Sequence, residues 1–457
     1  MASGADEKNE VYDCIGIGFG PSNIALAIAL EENQRIENTR FLEKSGAPDW
    51  QSDMLIEGTD IQHHPLRDLV TPRNPQSPYG FLSYLKDEER LFDYLNLSAP
   101  FPPRTEYARY VRWVARKFNK FVDYNADVAS VTPARVNGQT IYEVSCRNGA
   151  VYRARTVSLA PGRSVFVPEV FQNRLSDRII HSCDYLSAVS RWNWEGGVHR
   201  VAIVGASQSA LEILLDLPAK LPRSQCVGVT RSLGFKQKDL SPFTETVYEP
   251  DFVDMFYGAG EATRENSLSE LWRSNYGAAD HDIIDQLNFR LYEQKVTGRK
   301  TIQLLCNSEI VSVADADGKV TLELRDRYSG ETRFETFDAV ICATGYKNTG
   351  TQANQETFHP LLHALSAKLD LNERGCVQVR RDFSCVMADT LADWPPVFLN
   401  GLCETSHGFG DAGSFSLLSL RSETISHSIE QWISSSPPTP QQTKQKVTKT
   451  PNKVPAE

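Results

Sequence analysis

Two short glycine turns are the residues of this chain whose types and spacing most directly suggest chemistry. The first is Gly18-Phe19-Gly20-Pro21-Ser22-Asn23. A glycine at a strand end permits a tight turn, and a second lets the backbone approach a pyrophosphate seated on the following helix N-terminus. Asn23 stands where a third glycine is usual, and Glu43 lies at a spacing suited to the hydroxyls of an adenosine ribose. The second turn, Gly205-Ala206-Ser207-Gln208-Ser209-Ala210, departs further, with Ser207 at a common glycine position. Downstream, Arg231 suits the 2′-phosphate of NADPH, because a guanidinium binds phosphate in a fork. The plain alternatives are structural turns and a solvated arginine. Glu43 and the flanking strands favour cofactor binding at the first turn. Two dinucleotide sites on one chain imply electron traffic between a bound flavin and a diffusible nicotinamide.

The elements that must position these turns are strand, turn, helix and strand. Residues 11–18 (VYDCIGIG) read as a buried strand, 21–32 as a helix and 39–43 (TRFLE) as a second strand. The same grammar returns at 200–204 (RVAIV), SALEILLDL and 226–231 (CVGVTR). This predicts an α/β fold with two Rossmann-like dinucleotide-binding domains. Residues 151–168 read as a strand and return loop, 303–312 and 319–326 as sheet strands, and 337–343 (FDAVICA) as a buried strand ending in ATGY. Residues 240–298 read mostly as helices and loops, and the Ser/Pro/Thr/Gln/Lys-rich segment 434–457 as a disordered tail.

Composition narrows the function. The chain has 457 residues, 40% hydrophobic and 23% charged, as in an ordinary globular protein. A net charge of −10 with no basic run argues against a nucleic-acid partner. Nine scattered cysteines without CxxC spacing suggest reduced thiols, a cytoplasmic setting and no zinc or other metal site. No apolar stretch is long enough to span a membrane, and the polar N-terminus is not a signal peptide.

Several stretches together resemble one family, the N-hydroxylating flavoprotein monooxygenases of the ornithine and lysine N-hydroxylase class used in siderophore synthesis. They include IGIGFGPSNIALA at 15–27, FLEK at 41–44, DWQSDML at 49–55 and RDLVTPRNP at 67–75. SPYGFLSYL at 77–85, PPRTEYARYVRW at 102–113, VGASQSALE, SPF at 241–243, SNY at 274–276, ATGY at 343–346 and SHGFGD at 406–411 follow in order. The resemblance covers roughly residues 11–433. It implies an FAD domain from 1–194 and 350–433, an NADPH domain from 195–349, and a small helical substrate region at about 240–298 within the latter. It implies that NADPH reduces FAD and that a C4a-hydroperoxyflavin, formed with O2, hydroxylates a neutral amine in a dry site. The family often forms tetramers, although no stripe in this sequence demonstrates an interface.

By the same resemblance, Gln62 lies near the flavin ring, Arg231 binds NADPH, and Asn275 touches substrate and nicotinamide. Lys44, Trp50, Thr344 and Gly345 fall in the matched cofactor stretches. His407 and Asp411 look like a catalytic pair but are read as a loop on the flavin, since this chemistry needs no proton-relay triad.

The substrate positions depart from the ornithine enzymes. Arg67 stands for a lysine that pairs with the α-carboxylate, and Glu245 for an asparagine. The segment after Asp411 is one residue longer, leaving Ser414 and Ser416 as candidates for the substrate serine. His63 and His64 follow Gln62; they are either packed imidazoles or a source of positive potential. Arg67 and the histidines favour an acidic amino acid, with L-aspartate, oxidised toward nitrosuccinate, the leading expectation. Glu245 argues for an ammonium-bearing substrate instead, such as ornithine, lysine or a diamine, unless it pairs with Arg67 or Arg290. Two other classes compete: a Baeyer–Villiger or sulfide-oxidising flavoprotein, whose fingerprint motif is absent, and a reductase-only flavoprotein that releases peroxide.

Overall fold

The run VYDCIGI at 11–17 is rich in β-formers and becomes the buried strand Val11–Ile17. It pairs in parallel with Thr39–Leu42 and with Val151–Leu159. The chain is described here from a computed structural model covering residues 10–192, 194, 198–388 and 394–436. Residues 437–457, most of the expected tail, lie outside it, and the last helix runs on to Ser435.

The first sheet has seven strands. Its path runs Val122–Asp123, Thr39–Leu42, Val11–Ile17, Val151–Leu159, Gln139–Cys146 and Val128–Val136, with Val397–Leu399 also paired to Val151–Leu159. Helix Pro21–Glu32 is buried from Asn23 through Leu30, because it lies between this sheet and helix Leu418–Ser435. Leu26, Ile28, Val157, Phe398 and Ile425 close one core around them. The first domain is therefore built from both ends of the described chain.

The second sheet is wholly parallel, in the order Ile302–Leu305, Ser224–Val229, His199–Val204, Ala339–Cys342 and Ile179–His181. Helix Gln208–Lys220 packs on it through Leu211, Leu214 and Leu217. Strand Ile179–His181 belongs here, so the second unit begins before residue 195. The expected single strand 303–312 is two strands, Ile302–Leu305 and Ser308–Ala316, because Asn307 turns the chain at φ 53°. Ser308–Ala316 belongs instead to an antiparallel sheet with Lys319–Asp326 and Thr332–Phe337. Helices Pro250–Gly258, Glu261–Glu270 and His281–Thr297 form the helical region. No helix among the described residues is long and apolar enough to cross a membrane.

Candidate active site

Each glycine turn is shaped by contacts that exclude a side chain. Gly18 has φ +80°, and a Cβ there would lie 2.4 Å from the Ala160 carbonyl oxygen. Gly20 is the reverse case: a Cβ there would meet nothing within 4 Å. Gly20 precedes a 12-residue helix that starts at Pro21, so open space lies before the helix N-terminus. Glu43 accepts hydrogen bonds from the amides of Phe19 (2.7 Å) and Ser45 (2.8 Å), which holds its carboxylate against this turn. Open space, unpaired helix amides and an adjacent carboxylate fit the diphosphate and ribose of FAD.

Gly205, at φ +154°, would place a Cβ 2.3 Å from the Ala343 carbonyl oxygen. Ser207 is extended and caps helix Gln208–Lys220 without a side-chain hydrogen bond; Ser209 lies in the first turn. Arg231 follows strand Ser224–Val229 and is exposed, while its carbonyl accepts from Arg327 Nη1 at 2.9 Å. The Gln208 amide at the helix start donates to the Ala278 carbonyl (3.3 Å), and the arginine beyond the next strand suits the 2′-phosphate of NADPH.

Some expected cofactor residues turn inward. Asn23 is fully buried; Nδ2 donates to the Gly18 carbonyl (2.7 Å), and Oδ1 accepts from Ser158 Oγ (2.8 Å). It braces the first turn from behind. Gln208 is spent likewise, accepting from the Asp280 amide (3.0 Å) and donating to Glu212 Oε1 (3.1 Å). His407 is buried and stacked on Phe383, its Nδ1 2.9 Å from Ser406 Oγ and its Nε2 3.2 Å from the Arg381 carbonyl. Burial holds it down to about pKa 4. Asp411 accepts from Arg421 Nη1 (2.7 Å) and from the Cys403 amide (2.5 Å). The His407–Asp411 turn is thus a structural lock, and both side chains are used internally. Its connection to the first site is Arg421, whose Nη2 donates to Ser22 Oγ at 3.0 Å.

Thr344 donates to the Phe166 carbonyl, and the Gly345 carbonyl accepts from the Phe166 amide, which ties ATGY to the return loop of the first domain. Lys44 is exposed, and Trp50 lies edge-on to Phe415 and Tyr107.

Three of the expected substrate residues, Arg67, Glu245 and Ser416, meet. Arg67 Nη1 is 3.6 Å from Glu245 Oε2 and donates to Ser416 Oγ at 3.4 Å, and its guanidinium lies 5.9 Å from the Tyr248 ring centre. Ser414 is one step removed, accepting from the Ser416 amide (3.1 Å). Gln62, at φ +61°, donates through Nε2 to Asp280. His63 stacks on Phe415 and meets the edge of Tyr107. Its pKa is lowered to about 4, chiefly by burial, with Arg67 adding to the effect. The positive potential expected from His63 is therefore absent near neutral pH. His64 is exposed, and its Nδ1 accepts from the Leu66 amide (3.2 Å). Arg290 pairs with Glu293, so it is Arg67 that takes Glu245.

Asn275 is held through its neighbour. Tyr276 donates to Glu404 and accepts from Arg163 Nη1 at 2.7 Å, and Asn348 Nδ2 donates to Glu404 at 2.6 Å. Burial raises Glu404 to about 7, although Arg163 opposes the shift. Sequence reasoning missed this network and the buried Arg104–Glu212 pair at 2.6 Å. PPRTEYARYVRW carried the only signal for Arg104, with nothing to indicate its partner. Among the described residues no group of three or more His, Cys, Asp or Glu could hold a metal ion.

Comparison with known proteins agrees with this geometry. The family profile of L-lysine 6-monooxygenase/L-ornithine 5-monooxygenase matches residues 10–348. An L-ornithine N(5)-monooxygenase of Burkholderia cepacia is 36% identical over 414 residues, 88% of this chain and 91% of that protein. The solved ornithine hydroxylase of Pseudomonas aeruginosa superimposes with a TM-score of 0.83 at 34% identity, covering 93% of this chain and 100% of its own. An ornithine N-hydroxylase of Kutzneria sp. 744, solved with reduced FAD, NADP+ and L-ornithine, has a TM-score of 0.83 at 26% identity, covering 92% of this chain and 99% of its own. The family profile over most of the chain and relatives above 30% identity show that the chain belongs to the lysine/ornithine N-monooxygenase family, flavin- and NADPH-dependent enzymes that hydroxylate an amine.

Proposed function

We propose that this enzyme hydroxylates the side-chain amine of a basic amino acid, with L-ornithine the first candidate and L-lysine, sharing its head group, the second. The observation that carries this reading is the Arg67–Glu245 pair, 3.6 Å apart and about one-third exposed on both sides. A cation and an anion so placed complement an α-amino-acid head. The carboxylate takes the Arg67 fork and Ser416, and the α-ammonium takes Glu245. An ammonium has no lone pair to attack oxygen, so an α-amine held by Glu245 is protected and the reacting nitrogen lies further along the side chain. The relatives named for ornithine support the same assignment.

This corrects the aspartate expectation. That expectation needed excess positive charge, but His63 is neutral and Arg67 is already balanced by Glu245. Aspartate would also present its only amine to the carboxylate that keeps it protonated.

Bound FAD, reduced by NADPH, supplies activated oxygen. The chain's own residues orient the amino acid through Arg67, Ser416 and Glu245. Trp50, Tyr107 and Phe415 pack an aromatic wall beside this cluster and limit water. The test is steady-state kinetics with Glu245→Gln. A rise of about tenfold in the KM for L-ornithine, with putrescine much less affected, supports the reading. An equal effect on both amines contradicts it, because putrescine has no α-amino-acid head.

A further inference from the structure

Arg163 follows strand Val151–Leu159 and runs between the rings of Tyr276 and Tyr346, its guanidinium carbon 5.6 and 5.5 Å from their centres. Nη1 donates to the Tyr276 hydroxyl (2.7 Å) and to Asn348 Oδ1 (3.0 Å). Tyr276 and Asn348 both donate to buried Glu404, so a closed ring of four side chains links the cation to its counter-charge. A guanidinium keeps its charge, and this one cannot move aside without breaking two hydrogen bonds.

Two substrate-holding segments rest on this ring. On one side, a Cβ on Gly413, at φ +70°, would lie 2.6 Å from Arg163 Nη2, so the backbone between Asp411 and Ser416 lies directly against the guanidinium. Ser416, three residues on, accepts from Arg67. On the other side, Tyr276 packs against Val247, Tyr248 and Phe409. The Tyr248 hydroxyl donates to the Ser274 carbonyl (3.3 Å), which ties the turn Glu245–Tyr248 to the segment carrying Tyr276. The Tyr248 ring in turn lies 5.9 Å from the Arg67 guanidinium.

We propose that Arg163 is a positioning residue for the α-amino-acid head of the substrate. It acts on Ser416 through the Gly413 backbone, and on Glu245 and Tyr248 through Tyr276. The proposal rests on the basic-amino-acid reading above. Because Arg163 works through its neighbours, its loss weakens binding of the head and leaves flavin reduction by NADPH in place.

The experiment compares Arg163→Met, which keeps an apolar stem between the two rings and removes every donor, with Arg163→Lys, which keeps the charge without the fork. L-Ornithine and L-lysine are offered to FAD-loaded enzyme, reading KM, kcat, hydroxylamine formed, flavin reduction and retained FAD. Expected for Arg163→Met is about a tenfold rise in the amino-acid KM with kcat within about twofold, and an intermediate KM for Arg163→Lys. In a Ser416→Ala background, Arg163→Met should raise KM no more than about threefold, because one of the groups it places is gone. Should Arg163→Met fail to fold, Tyr276→Phe, which removes only the shared hydroxyl, replaces it with the same expected defect. An unchanged KM would overturn the proposal, as would full additivity with Ser416→Ala or a parallel loss of FAD, flavin reduction and activity in every variant. Wild type making no hydroxylamine from either amino acid would instead overturn the substrate reading itself.

Discussion

Arg67 makes the most consequential contacts of any single side chain in the site, because it touches both Glu245 and Ser416. Arg67→Ala is expected to raise the amino-acid KM at least tenfold while NADPH still reduces the flavin, with Arg67→Lys intermediate because one ammonium cannot reproduce the fork. Stopped-flow reduction alongside steady-state kinetics checks this, and equal loss of both steps would remove Arg67 from the substrate site. Glu404 makes a pH prediction. Burial raises it to about 7 from the 4.5 of a free glutamate. The folded protein then holds this proton more tightly than the unfolded chain, so this group's contribution to stability declines as pH rises from about 4.5 to 7. Glu404→Gln should flatten that part of a thermal-melt series. Residue types at this scale were legible: Arg67 and Glu245 stood out as departures from a pattern. Which arginine Glu245 takes, Arg67 or Arg290, and which of the two states His63 adopts stayed open in the sequence, because only the fold fixes distance and burial.

The elements carry the cofactor chemistry, and they were the most legible part of the chain. Strand, glycine turn and helix appear twice with the expected spacing, and both turns exclude a Cβ at their first glycine. Arg231→Ala should weaken NADPH far more than NADH in initial-rate assays, since only the former carries a 2′-phosphate. The hairpins were harder. Asn137-Gly138 and Asp317-Gly318 both take positive φ and close tight turns, a local signal for antiparallel pairing that went unused. The HGFGD turn, read from sequence as a loop and not as a catalytic pair, has its contacts only in the fold. A histidine and an aspartate four residues apart suggest catalysis, yet here Asp411 neutralises Arg421 so that helix Leu418–Ser435 can hold Ser22. Arg421→Ala leaves Asp411 buried without a counter-charge and should cost about 3–5 kcal/mol, read by denaturant unfolding, together with weaker FAD binding.

Across the whole molecule, contacts between long-separated segments join the two dinucleotide units. Arg104, which also donates to the Met54 carbonyl, pairs with Glu212 on the helix of the second unit. Gln62 reaches Asp280, and Tyr276 and Asn348 converge on Glu404. Such contacts join residues 50 to 218 positions apart, so local pattern could not reveal them. Glu212→Ala should cost about 3–5 kcal/mol on unfolding, because Arg104 remains buried. The enzyme class follows from the two turns and the family match, whereas the proposed basic-amino-acid substrate rests on one ion pair. Product analysis by mass spectrometry tests that substrate most directly, with purified enzyme, FAD, NADPH and O2 given L-ornithine, L-lysine, putrescine and L-aspartate in parallel. Expected is a side-chain hydroxylamine from ornithine or lysine. A nitroso or nitro product from aspartate, or peroxide alone with every amine, would contradict it.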